Sequence, residues 1–103
     1  MSGAVPVDAT LERAVTVGSE LGFHMRPMQK FIEICGTFRA EVRVRRAEGI
    51  DGTGPVEVDG RSIFGLMELA ATRGTSLTLL AEGDDATDTL AALADFFARN
   101  FDE

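Results

Sequence analysis

Cysteine, histidine, long apolar runs and positive charge are all scarce in this sequence, and each scarcity removes a class of protein. One cysteine among 103 residues leaves no partner for an internal disulfide, which fits the reducing cytoplasm. No stretch approaches the ~18 consecutive apolar residues of a membrane span, so no membrane insertion is expected. Met1 to Thr10 has neither the basic start nor the apolar centre of a secretory signal. Small and weakly patterned, it reads as a flexible leader over 1–10, with one domain over 11–103. Lys and Arg number 10 against 17 Asp and Glu, a formal net charge of -7. A protein that neutralises nucleic-acid phosphates needs a basic face, so nucleic acid is excluded as a partner. The single histidine confines unaided chemistry near neutral pH to one position.

What is present is ordinary for a soluble globular domain, 45% hydrophobic and 26% charged. Leu11, Arg13, Val15 and Val17 alternate with other residues and predict a strand over 11–17 with one buried face, ended by Gly18 and Ser19. Behind Pro27, the residues Met28, Phe31, Ile32, Cys35 and Phe38 recur at helical spacing, and Gly36 suggests the stop. Phe31 and Ile32 would each contribute ~1.5–3 kcal/mol if fully buried. Ala40, Val42 and Val44 alternate with Glu41, Arg43 and Arg45, a strand wet on one side. Glycines and Pro55 then make a long turn over 47–55, at a hairpin tip, before a short strand from Val56 to Val58. Ser62 is placed to cap a helix from Ile63 to Ala71, ended by Gly74. Leu77 and Leu79 mark a last strand. Asp84, Asp85 and Asp88 load the start of a helix from Ala86 to about Asn100, whose buried stripe is Leu90, Leu93, Phe97 and Phe101. The order β-α-β-β-α-β-α predicts an α+β fold, a four-stranded antiparallel sheet with three helices on one face.

Three clusters carry no chemistry on this reading. Cys35 lies on the apolar face of its helix and is expected to be a buried structural thiol. The acids of Asp84-Asp85-Ala86-Thr87-Asp88 lack the spacing of a calcium loop, and capping accounts for them, so neither a metal nor a cofactor is expected. Arg39, Arg43, Arg45 and Arg46 are interrupted by Glu41 and Glu48 and read as a solvated strand face.

The informative stretch is Gly22-Phe23-His24-Met25-Arg26-Pro27-Met28-Gln29-Lys30. Proline fixes its φ and donates no N–H, so a helix containing Pro27 must hold it in the first turn, which puts His24 at the helix mouth. There the unpaired amides and the positive dipole end of the helix meet the imidazole, and Arg26 adds a planar cation two residues on. This is a phosphate-sized anion site with a nucleophile built in, because a ring nitrogen can take up and release a phosphoryl group without further activation.

Gly-Phe-His-Met-Arg-Pro resembles the active-site signature of the histidine-containing phosphocarrier (HPr) family of the bacterial phosphoenolpyruvate-dependent sugar phosphotransferase system. A second segment, Val58 to Ala70, is similar to that family's regulatory-serine segment. Gly74-Thr75 through Ala81-Glu82-Gly83 resembles its last strand and turn. The likeness covers about residues 11 to 101 in order. It implies an open-faced β-sandwich and a cytoplasmic phosphoryl carrier, more a substrate of enzymes than an enzyme. His24 would take phosphate on Nδ1 from phosphorylated enzyme I and pass it to EIIA-type acceptors, with Arg26 steadying the charge. Ser62 would be a second phosphorylation site, used by HPr kinase/phosphorylase where that enzyme exists. Phe23, Met25, Pro27, Ile63, Phe64 and Met67 would form the partner-binding surface of a monomer. Gly65 in mid-helix costs ~1 kcal/mol relative to Ala, which fits a surface role for that helix.

The sequence also departs from the family. Met25 stands where a small residue is usual, Leu21 where a short polar one is common, and Glu33 and Gly36 where some members carry basic residues for enzyme I. Two rival readings follow, a nitrogen-type regulatory carrier, and a non-catalytic module switched by Ser62 alone.

Overall fold

Four alternating segments become four strands in the computed structural model, which describes residues 9–48, 52 and 54–103. They are β1 (Thr10–Thr16), β2 (Glu41–Arg46), β3 (Val56–Asp59) and β4 (Ser76–Glu82), with helices α1 (Met25–Cys35), α2 (Ile63–Glu68) and α3 (Ala86–Ala98) in the predicted order. The strands form one antiparallel sheet in the order β1-β4-β2-β3. Register puts like with like. Leu11 lies opposite Ala81, which lies opposite Val42, while Val44 sits between Leu79 and Val58. Because side chains alternate across a strand, these rows give the sheet one apolar face, and the helices cover it. Helix α3 packs on β1 and β4, α2 on β3, and α1 on both other helices. Phe31, Leu66, Leu79, Leu93 and Phe96 meet in the core at 0–1% exposure.

Several boundaries shift for polar reasons. Helix α2 stops at Glu68, short of Ala71, because Ala70 turns left-handed at φ +47°. Arg46 Nη1 donates to the Leu69 and Ala70 carbonyls at 2.9 Å each, supplying partners for a helix end that would otherwise need a glycine cap. Arg61 does the same for α1, donating to the carbonyls of Cys35, Phe38 and Ala40 at 2.8, 3.1 and 3.0 Å. Gly36 therefore ends α1 at an ordinary φ of -66°. Arg46 thus leaves the expected solvated face, while Arg43 and Arg45 stay on it, paired with Glu57 and Glu12. Exposed pairs of that kind are worth ~0–1 kcal/mol.

Asp85 also departs from expectation. It is the N-cap of α3, yet its carboxylate makes no capping bond. It accepts instead from the backbone N–H groups of Arg39 and Ala40, both at 2.8 Å. Those bonds, the one from Arg39 first, hold its carboxyl below the ordinary 3.8. Gly65 has a packing reason, since a Cβ there would meet Val58 Cβ at 3.2 Å and Ser62 Cβ at 3.3 Å. Thr10, expected in the leader, belongs to β1, and residues 1–8 lie outside the described residues. Much of the 47–55 turn lies outside them too.

Candidate functional site

The loop that delivers His24 is pinned on both sides. Gly22 adopts φ +72°, and a Cβ on it would meet the Ala71 carbonyl oxygen at 2.7 Å, so no other residue fits there without a backbone shift. The Phe23 N–H donates to that same oxygen at 2.8 Å. Phe23 itself is 3% exposed, its ring set among Phe31, Phe97 and Phe101 at centroid distances of 5.4–5.6 Å. Phe23 was expected on the partner surface; it anchors the loop from below instead. Pro27, also expected on that surface, is buried in the first turn of α1. A proline there gives the helix a preset φ.

His24 is the N-cap of α1, with extended backbone and no side-chain capping bond. Its side chain is 29% exposed. The first intrahelical bond runs from the Met28 N–H to the His24 carbonyl at 3.0 Å, so the amides of Met25 and Arg26 precede the ladder and face the helix mouth. Arg26 is exposed and lines two open clefts, one with Lys30 and one with Arg73, and Glu103 borders both.

Two residues of this site escaped sequence reasoning. Glu103 Oε2 lies 2.6 Å from His24 Nε2, and the buried Ser19 hydroxyl donates to Glu103 Oε1 while accepting the Leu21 N–H at 3.3 Å. The Ser19 hydroxyl, then the His24 ring, then the charges of His24 and Arg26 hold the Glu103 carboxyl below its ordinary value against some desolvation. Ser19 supplies the polar group that Leu21 does not. Glu103 and His24 are 79 positions apart, and no spacing rule joins them. What brings Glu103 back is a short turn after α3 in which Asn100, Phe101 and Asp102 are all left-handed, at φ 56°, 60° and 62°. Asn and Asp visit that region at little cost, whereas for Phe101 it costs ~1–2 kcal/mol. Burial of the Phe101 ring against Phe23, Phe96 and Phe97 at 4.9–5.4 Å opposes that cost, as do the contacts of Arg99 with Asp95 and Asp102.

Ser62 is where it was expected, at the N-cap of α2, its hydroxyl accepting the Gly65 N–H at 3.1 Å. The two candidate phosphorylation residues therefore occupy the N-caps of two helices that pack on each other. The large exposed apolar side chains among the described residues are Leu21, Met25, Phe64 and Met67, at 72%, 46%, 76% and 46%. Three of the four were on the expected partner surface, Leu21 was not, and Ile63 is half-buried against the core. Cys35 is fully buried and its thiol is pushed up to about 11 by desolvation, which makes it inert.

Residues 11–99 match the family model described as the PTS HPr component phosphorylation site. The chain is 38% identical over 90 residues to the phosphocarrier protein HPr of Pseudomonas aeruginosa, covering 86% of this chain and 92% of that one. It is 32% identical over 94 residues to the phosphocarrier protein NPr of Escherichia coli, covering 91% and 98%. Among solved structures, HPr-C-His of Thermoanaerobacter tengcongensis superposes with a TM-score of 0.76 at 29% identity, covering 90% of this chain and 97% of that one.

Proposed function

The chain belongs to the HPr family of phosphocarriers of the phosphotransferase system, and from that premise we propose that His24 takes a phosphoryl group from phosphorylated enzyme I and hands it to EIIA-type acceptors. The observation that carries this reading is the setting of the only histidine, partly exposed at the mouth of α1 with Nε2 engaged by a carboxylate. The first amides of α1 and the exposed Arg26 stand next to His24 in the chain, and donors of that kind suit the charge of a phosphoryl group. Leu21, Met25, Phe64 and Met67 supply the adaptable apolar contact that a carrier with several partners needs. The protein acts as a cytoplasmic monomer in this reading. Ser62 is a second, regulatory phosphorylation site at the edge of that contact.

Incubation with phosphoenolpyruvate and enzyme I is expected to attach one acid-labile phosphate, absent from His24→Ala. Acid-stable label, or label kept by His24→Ala, would exclude the carrier reading.

A further inference from the structure

We infer that Glu103, oriented by Ser19, is a positioning residue that holds the His24 ring in one tautomer and so selects Nδ1 as the phosphoryl acceptor. The inference rests on the reading of His24 as the phosphorylated residue. An ionised carboxylate only accepts hydrogen bonds, so a 2.6 Å contact between Glu103 Oε2 and His24 Nε2 requires the proton on Nε2. In the neutral ring Nδ1 then carries the lone pair. The carboxylate is itself fixed, because the Ser19 hydroxyl donates to its other oxygen and Ser19 is 2% exposed. Three successive left-handed residues bring Glu103 to this place, and Phe101 locks them into the aromatic cluster beneath His24. Such a turn is maintained against its strain, and strained backbone of this kind concentrates at sites of function.

The transfer step follows from that geometry. The Nδ1 lone pair forms the new N–P bond, the bond from phosphorus to the donor breaks, and its electron pair leaves with the donor. No proton moves. The Nε2–H stays on the ring, which becomes cationic as the N–P bond forms, and the Glu103 carboxylate opposite balances that charge. The arrangement is the one a buried carboxylate uses to orient a catalytic imidazole in hydrolases, transferred here to a surface carrier. When His24 passes its phosphate on, the same contact returns the ring to its starting tautomer.

The ring nitrogens report the tautomer directly, through long-range proton–nitrogen correlation spectra of 15N-labelled protein at neutral pH, with no phosphoryl donor present. Wild type is expected to show only the Nε2–H form. In Glu103→Ala the Nδ1–H form should become populated. The rate of phosphorylation by enzyme I should fall about tenfold in kcat with KM little changed, the equivalent of one charge-assisted hydrogen bond. Glu103→Gln, which keeps an acceptor oxygen without the charge, should retain the tautomer and recover part of the rate. Ser19→Ala should move both readouts the same way by less. Wild-type ring spectra and rate in Glu103→Ala would overturn the inference. If that variant does not fold, the same null result in Ser19→Ala overturns it. Label kept by His24→Ala would instead remove the carrier reading, whatever the ring spectra say.

Discussion

Arg26 is the residue at which charge and exposure meet most directly. It stands in the first turn of α1, exposed, in clefts bordered by Glu103. A planar guanidinium can meet two phosphoryl oxygens at once, and its charge is felt most where negative charge develops in transfer. Arg26→Ala is expected to slow phosphoryl transfer to His24 by about ten- to a hundredfold with an unchanged thermal melt. Arg26→Lys should restore part of the rate, since the charge returns but the fork does not. Rapid-quench transfer assays decide the matter, and equal rates in all three proteins would mean that the helix amides suffice. Phe23 shows the opposite relation between neighbours. One residue from His24 it is wholly interior, and its ring anchors the loop in the aromatic cluster.

At the scale of elements, the site is assembled from helix beginnings and helix ends. Helices α1 and α2 each begin at a candidate phosphorylation residue, and the ends of both are closed by arginines from elsewhere, Arg61 and Arg46. The Ser62 N-cap separates the two roles assigned to that residue. Ser62→Ala removes the bond from the Gly65 N–H and should cost ~1 kcal/mol of stability. Ser62→Asp keeps a capping oxygen and places a negative charge at a helix N-terminus, where the dipole tolerates it. It should therefore melt like wild type yet be phosphorylated on His24 by enzyme I several-fold more slowly, because the charge adjoins exposed Phe64 and Met67. Thermal melts run beside initial phosphorylation rates test this. A Ser62→Asp protein phosphorylated as fast as wild type would leave Ser62 a cap and nothing more.

The whole molecule is held in register by a few long-range polar ties laid over its apolar core. Asp85 joins the start of α3 to the start of β2 across 46 positions through the amides of Arg39 and Ala40. Because those bonds favour the ionised form, its folded-state pKa is depressed below 3.8. The stability it contributes is then fully present above that ordinary value and is lost as pH falls through the depressed folded value. Asp85→Asn is expected to melt below wild type at neutral pH, with the gap closing on the acid side of pH 3.8. Paired thermal melts across that range are the check, and a gap that does not change with pH would count against the tie. Glu103, lowered for the same kind of reason, should contribute to the same acid-side loss.

Sequence alone determined the element order, the antiparallel sheet with helices on one face, the buried Cys35 and the placing of His24 and Ser62 at helix beginnings. All of these depend on local rules. Strand alternation and helical spacing show within a dozen residues, a proline in the first turn and a serine at a cap act on their immediate neighbours, and the family signature is itself contiguous. Only the tertiary structure decided that Phe23 and Pro27 face inward, that Arg46 and Arg61 close helix ends, that Asp85 ties β2 in place of capping α3, and that Ser19 and Glu103 complete the histidine site. A polar contact between residues 46 to 84 positions apart leaves no periodic trace, because it is made by whichever groups the packed core happens to bring within reach. Its partners become visible once Phe101 is buried and the chain after α3 turns left-handed to bring Glu103 onto the ring of His24.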